Sequence, residues 1–443
     1  MPDKISPSFI IPHSSFSLFD HLQRFFLLLA CFVCPLLFYT DLTRNPYFTQ
    51  IAVLNICILF FWACWLLRSF RFKKWEIPRT PLDMPWLAWL LVCGVSLFVS
   101  YLGHPHFFRP AILSEGFRVG VFTFTNTFLV YYWGATVGGK NKISDFGFRI
   151  SDLKNGDVNS QYLKWSAFIV IWSSLWFLFP ALRSVPQSSG ILNRLWDGYG
   201  GLLWLGGLWA AWRLTRRGSV WDYWHLLLAV GFFASGYGIL QYLGVEIIWP
   251  NQLDPYGGRA VSTFGNPNFL SSYLVVLLPL ALVFFLKARS LGEKCFYGVH
   301  VLLFEASLIC SLTRSSWLGA GVAIGCLFLS PSLLPSFREN KKSLLLLGLV
   351  TLLMVFLWPG SRTASMTVLG RITELKQLLP SPSVKEAALY SPWHQRLLIW
   401  VSCWQMGLEN PIFGKGWGLL ELFYPFYQGP NLLAHEFLRG MRT

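Results

Sequence analysis

The chain has 443 residues, of which 54% are hydrophobic, 17% aromatic and only 13% charged. A soluble domain carries about 25% charged residues, so an ordinary globular protein is excluded. The formal charge of +15 invites a nucleic-acid partner. Most Lys and Arg, however, lie in short loops between apolar runs, where they orient helices rather than contact phosphate backbones.

Apolar runs of roughly 17 to 25 residues recur along the chain, each long enough to cross a hydrocarbon core. They are continuous rather than alternating, which argues against a β-barrel and predicts an all-α, polytopic membrane protein. In chain order the predicted spans are 25–40, 51–67, 86–102, 119–135, 163–180, 199–212, 225–247, 269–286, 297–312, 315–330 and 344–358, about eleven in all. No small-residue cleavage site follows the first run, so it reads as a retained span and not a removed signal peptide. Cys31 and Cys34 form a C-x-x-C within that run, with no second pair nearby. They read as buried, inert thiols, and no disulfide framework or metal site is expected.

Basic clusters set the predicted topology. Arg68, Arg71, Lys73, Lys74 and Arg79 crowd the second loop; Lys140, Lys142, Arg149, Lys154 and Lys164 mark the fourth. Arg213, Arg216 and Arg217 mark the sixth, Lys287, Arg289 and Lys294 the eighth, and Arg338, Lys341 and Lys342 the tenth. All are even-numbered loops, so they share one side, which the positive-inside rule makes cytoplasmic together with the N-terminus. The stretch 250–268, the turn at Thr313–Ser316 and everything after Trp358 then face outward. Residues 1–358 form the expected transmembrane domain and 359–443 an outward loop or cap. That cap contains a Pro-rich break, LLPSPSV (378–384), and a helix signal over Trp393–Leu408 in which Leu397, Ile399, Trp400 and Trp404 recur near helical spacing.

Three arginines stand on the cation-poor outward side: Arg259, Arg314 and Arg396. Arg259 precedes Asn266-Pro267-Asn268, a turn in which Asn268 is the predicted N-cap of the next span. Outward-pointing N–H groups at that helix start, with the helix dipole behind them, would join Arg259 in an anion site. Gly257, Gly258 and Gly265 would let the backbone approach a bound group. Arg314 also sits at a helix entry, and guanidinium groups grip phosphate in bidentate fashion. An anion beside spans that hold a lipid tail suggests a lipid phosphate or pyrophosphate. Arginines at span ends also snorkel to headgroups without a specific ligand, and the residues alone leave both readings open.

Other positions carry less. Glu305 lies mid-span, where it serves either function or packing against a polar neighbour. Gln241 and Tyr237 read as interhelical hydrogen-bonding groups. GKGWG (414–418) follows no strand and reads as a turn, not a dinucleotide fingerprint. His104 and His106 lack a suitably spaced third ligand and read as interfacial side chains. His394 begins a helix with no catalytic role assigned.

The stretches STFGNPNFLSSYLVVLLPLAL (262–282), LTRSSWLGA (312–320) and HQRLLIW…ENPIFGKGWG (394–418) resemble the O-antigen ligase and O-antigen polymerase family of the bacterial envelope. FYTDLTRNPY (38–47) and YGILQYLGV (237–245) add to the likeness, which covers most of the chain and is strongest from Tyr237 onward. The resemblance implies a helical fold of the lipid-donor glycosyltransferase type in the bacterial inner membrane. It implies transfer of a glycan from an undecaprenyl-pyrophosphate carrier, at the periplasmic face, to an acceptor hydroxyl on lipid A-core, a glycan or a protein. No cofactor, nucleotide sugar or metal is implied. By position Arg259 and Arg314 match the family's pyrophosphate arginines and Arg396 its loop arginine, and with Asn268 they are the expected pyrophosphate-binding residues. His435 is the candidate general base, although Glu436 stands where the family carries Asn. The family also has a further span after this segment, so the chain is expected to be a truncated product. A transport role, described for relatives as putative bicarbonate transport, predicts paired broken helices and inverted repeats. Neither is evident in the sequence. A non-catalytic membrane scaffold is the third class.

Overall fold

The computed structural model describes residues 18–36, 46–73, 80–107, 125–132, 220–245, 256, 258–359 and 392–433. Every regular element among them is helical. In chain order they are α1 (Leu18–Leu36), α2 (Pro46–Phe72), α3 (Asp83–Gly103), α4 (Val220–Tyr242), α5 (Pro267–Lys287) and α6 (Leu291–Ser311). Then follow α7 (Arg314–Phe328), α8 (Leu334–Glu339), α9 (Lys341–Leu357), α10 (Pro392–Glu409) and α11 (Leu420–Leu432). A further helical stretch covers 125–132. The expected spans at 163–180 and 199–212 lie outside the described residues.

Six of these helices are long and apolar enough to cross a membrane: Leu18–Leu36, Gln50–Phe72, Asp83–Gly103, Trp224–Tyr242, Pro267–Lys287 and Leu291–Ser311. This agrees with an all-α polytopic membrane protein. The helices expected at 315–330 and 344–358 are present as α7 and α9, of 15 and 17 residues. At 1.5 Å per residue, α7 is about 22 Å long, short of a typical hydrocarbon core of about 30 Å.

The chain divides into two compact units. The first draws on Met1–Lys74 and Phe148–Lys376, the second on Trp75–Gly147 and Gln377–Thr443. In the first, α5 and α6 are central, each burying 61% of its apolar window. Leu270, Leu274, Leu277 and Phe304 are almost fully enclosed there. Gly231 brings α4 against this pair, since a Cβ at that position would stand 2.5 Å from Leu277 Cδ1 and 2.9 Å from Phe304 Cζ. In the second unit the described elements are α3, a 3-10 turn at Pro105–Phe107, the 125–132 helix, α10 and α11. Ser100 Oγ donates to the Lys415 carbonyl at 2.7 Å, and Ser96 Oγ donates to the Phe413 carbonyl, tying the 413–415 loop to the last two turns of α3.

Candidate functional site

The segment from Arg259 to Asn268 crosses one end of the first unit, strapped down at several points. Gln241 Oε1, at the end of α4, accepts the backbone N–H of Ser262 at 2.6 Å and of Val261 at 3.3 Å. Ser262 Oγ donates to the Ala234 carbonyl at 2.6 Å and Thr263 Oγ1 to the Pro35 carbonyl at 2.6 Å. Gln50 Nε2 of α2 donates to the Thr263 carbonyl at 2.8 Å. Ala260 N–H reaches the Cys310 carbonyl at 3.1 Å. Gln241 therefore bonds to a loop backbone, a role more specific than the interhelical one expected.

The backbone is strained here. Ser262 and Leu312 have φ of +52° and +49°, and they are two of three non-glycine residues with positive φ among the described residues. Such conformations cost on the order of 1–3 kcal/mol each and persist where the surroundings over-determine them.

The straps fix Arg259. Its Nε donates to the Ser311 carbonyl at 2.8 Å and its Nη2 to Thr313 Oγ1 at 2.8 Å, with Asn268 Oδ1 at 3.5 Å. These three neutral oxygens orient the guanidinium. Ser311 ends α6 and Thr313 is the N-cap residue of α7. The Thr313 hydroxyl makes no cap bond to its own helix and accepts from Arg259 instead. Arg314, half-buried, is then the first residue of α7. A cation at a helix N-terminus opposes the macrodipole, at a cost of about 0.3–1 kcal/mol. Helix stability therefore does not account for Arg314. Arg259 and Asn268 thus meet at the α6–α7 turn, and Arg314 opens the helix that follows it.

The expected N-cap at Asn268 is corrected. Asn266 is the N-cap of α5, with extended φ and ψ of −149° and 128°, and Asn268 is the second helical residue. Proline explains the shift: Pro267 holds the residue before it in the extended region and prefers the first helical position, where its missing N–H costs nothing. The anion grip expected from the N–H groups of α5 fails for the same reason. Asn266 Oδ1 accepts the Asn268 N–H at 2.9 Å, and the Asn266 carbonyl accepts from Phe269 and Leu270, each at 3.1 Å. What Asn268 brings to the site is its side-chain oxygen, which also lies 3.5 Å from Thr313 Oγ1. Gly258 and Gly265 do adopt positive φ, 75° and 65°, while Gly257 lies outside the described residues.

Arg396 belongs to the second unit, where it is exposed on α10. His435 lies outside the described residues. Glu305 accepts a hydrogen bond from Thr351 Oγ1 of α9 at 2.6 Å, the polar pairing foreseen as one of its two roles. GKGWG is a turn, with Gly414, Gly416 and Gly418 all at positive φ. The His104 ring packs edge-on against Phe423 at 5.2 Å.

Thr313 and Ser311 escaped the sequence reading. For Thr313 a signal was available, since threonine directly before a helix start is an N-cap pattern. The Ser311 carbonyl gave none, because a backbone acceptor has no residue signature.

Residues 298–438 match the family model described as O-antigen ligase. A general O-oligosaccharyltransferase of Acinetobacter baylyi is 25% identical over 197 residues, 44% of this chain and 32% of that relative. The matched stretch thus spans about a third of the relative's length. No solved structure matches significantly.

Proposed function

Because residues 298–438 match the family model described as O-antigen ligase, we propose that the chain transfers a glycan from a lipid-linked pyrophosphate donor to an acceptor hydroxyl. The donor is read as undecaprenyl-pyrophosphate-linked glycan, and the working face as periplasmic in a bacterial inner membrane with the N-terminus cytoplasmic. The supporting observation is the grip on Arg259 by Ser311, Thr313 and Asn268, one residue away from Arg314. In the proposed step the acceptor oxygen forms a bond to the anomeric carbon of the donor sugar. The bond from that carbon to the phosphate oxygen breaks, and its electron pair leaves on the pyrophosphate. Preorganised guanidinium groups stabilise that developing charge. The acceptor proton passes to a base of near-neutral pKa, for which His435 is proposed. Arg396 is assigned to the same leaving group. The step needs no metal. The relative's name speaks of oligosaccharide transfer to oxygen, which favours a glycan or protein hydroxyl as acceptor alongside lipid A-core.

The test uses the full chain in vesicles with an undecaprenyl-pyrophosphate-linked glycan. Arg259→Ala and Arg314→Ala should each lower the transfer rate by about 10²–10³-fold, the loss typical of removing one preorganised charge-stabilising donor. Arg259→Lys should restore only part of it, since an ammonium lacks the planar fork. Unchanged transfer in both alanine variants, with thermal midpoints at the parent value, removes the proposal.

A further inference from the structure

The helix α10 is apolar on both of its faces. Its inner face buries Leu398 and Met406 on either side of Ser402, whose hydroxyl accepts from Asn431 Nδ2 of α11 at 2.9 Å, as does the exposed Gln405 Oε1. Its opposite face presents Leu397, Trp400, Trp404 and Leu408, with exposures of 39, 56, 70 and 62%. These positions recur at helical spacing and form one stripe. Between Arg396 and Glu409 the helix carries no charge at all. A helix facing water places charge outward and apolar groups inward, whereas α10 carries apolar groups on its outer face as well.

The stripe continues past the helix into Ile412 and Phe413, 78% and 43% exposed. That segment is fastened beside the last two turns of α3, through Ser96 and Ser100. Around those turns α3 itself exposes Phe98 and Leu102, at 61% and 64%, and it is one of the six helices suited to span a membrane. The exposed apolar residues of the loop therefore lie beside exposed apolar residues of α3, at the level of that helix's final turns.

We propose that the outer stripe of α10, together with Ile412 and Phe413, is seated in the bilayer interface at the C-terminal end of α3. The occupant of this face is phospholipid. Tryptophan suits that boundary, where its ring meets acyl chains and its N–H meets headgroups. Arg396 and Glu409, at the two ends of the apolar stretch, would stand at headgroup level.

The test replaces Trp404, and in a second chain Ile412, with photoreactive p-benzoylphenylalanine. The full protein is reconstituted in vesicles of phosphatidylethanolamine and phosphatidylglycerol, irradiated and digested. Ile412 projects far enough that its replacement leaves the fold intact even if the change at Trp404 does not. Phospholipid adducts on the peptide bearing either position support the seat in the interface. Cross-links to a second copy of the chain or to other protein overturn it, as does the absence of any adduct at both positions, which marks a face open to water. None of these outcomes depends on glycan transfer.

Discussion

Arg259 is held by oxygen atoms from three elements, and its own loop is held by Gln241, Gln50, Ser262 and Thr263. Gln241 is the strap whose loss is easiest to read. Gln241→Leu leaves two loop N–H groups without their acceptor, each costing roughly 1–3 kcal/mol if they stay buried. We expect kcat for glycan transfer to fall more than KM rises, because the charge on Arg259 survives while its placement loosens. Steady-state kinetics of Gln241→Leu beside Arg259→Ala checks this, and a rise in KM alone would mean the strap serves binding only. In the second unit, Glu409 accepts from Lys415 Nζ at 2.7 Å and from the Tyr427 hydroxyl. The Lys415 hydrogen bond, followed by that of Tyr427, lowers the Glu409 carboxyl below its ordinary range. A depressed carboxylate pKa gives stability that is present above the unfolded value, near 4.3, and is lost as pH falls through the folded one. Thermal midpoints should therefore converge between the parent and Glu409→Gln below about pH 4 and separate, with the parent higher, above about pH 5.

Helix ends and turns, more than helix interiors, decide what the elements do. Asn266 and Pro267 start α5 so completely that its N–H groups are spent on its own cap. α6 begins with a capping box of Ser290 and Glu293 and ends on Leu312 in the left-handed region. That ending turns the chain sharply into α7, setting Thr313 to meet Arg259 and Arg314 to follow. In the second unit the comparable device is Gly416, with φ of +107°. A Cβ there would lie 2.6 Å from Leu419 Cδ1 and 2.8 Å from Ser100 Cβ. Gly416→Ala is expected to destabilise through both strain and overlap, by about 1–3 kcal/mol. Gly407, in α10 with open space about it, gives the contrast. Gly407→Ala should stabilise by up to about 1 kcal/mol through helix propensity. Paired denaturant or thermal unfolding curves test both, and equal effects would contradict the tight fit of the loop on α3.

At the scale of the molecule, catalysis in the proposed reaction comes from fixed guanidinium charge in a membrane-bound helical frame. Transfer by the full chain in vesicles should accordingly persist in excess EDTA, measured as initial rate. Loss of activity on chelation, restored by a divalent cation, would replace the arginine account with a metal-assisted one. The same vesicles distinguish the transport reading, which requires protein-dependent uptake of labelled bicarbonate.

Composition and periodicity made the membrane-spanning, all-helical class legible, because lipid admits few solutions for a backbone that must satisfy its own hydrogen bonds. Arg259 and Arg314 were visible as cations lacking an orienting role, and the turn at Asn266–Asn268 was visible as a turn. The identity of its cap was not, since Asn at either position satisfies the pattern and only the local φ and ψ distinguish them. Nor did the sequence disclose that Gln241 supports the loop backbone, that the α6–α7 turn encloses Arg259, or that Ser402 of α10 is buried against Asn431 of α11. Each of these depends on groups distant in the chain meeting at hydrogen-bond range. One-dimensional periodicity reports which residues share a face, and the packing of the other helices decides what that face meets.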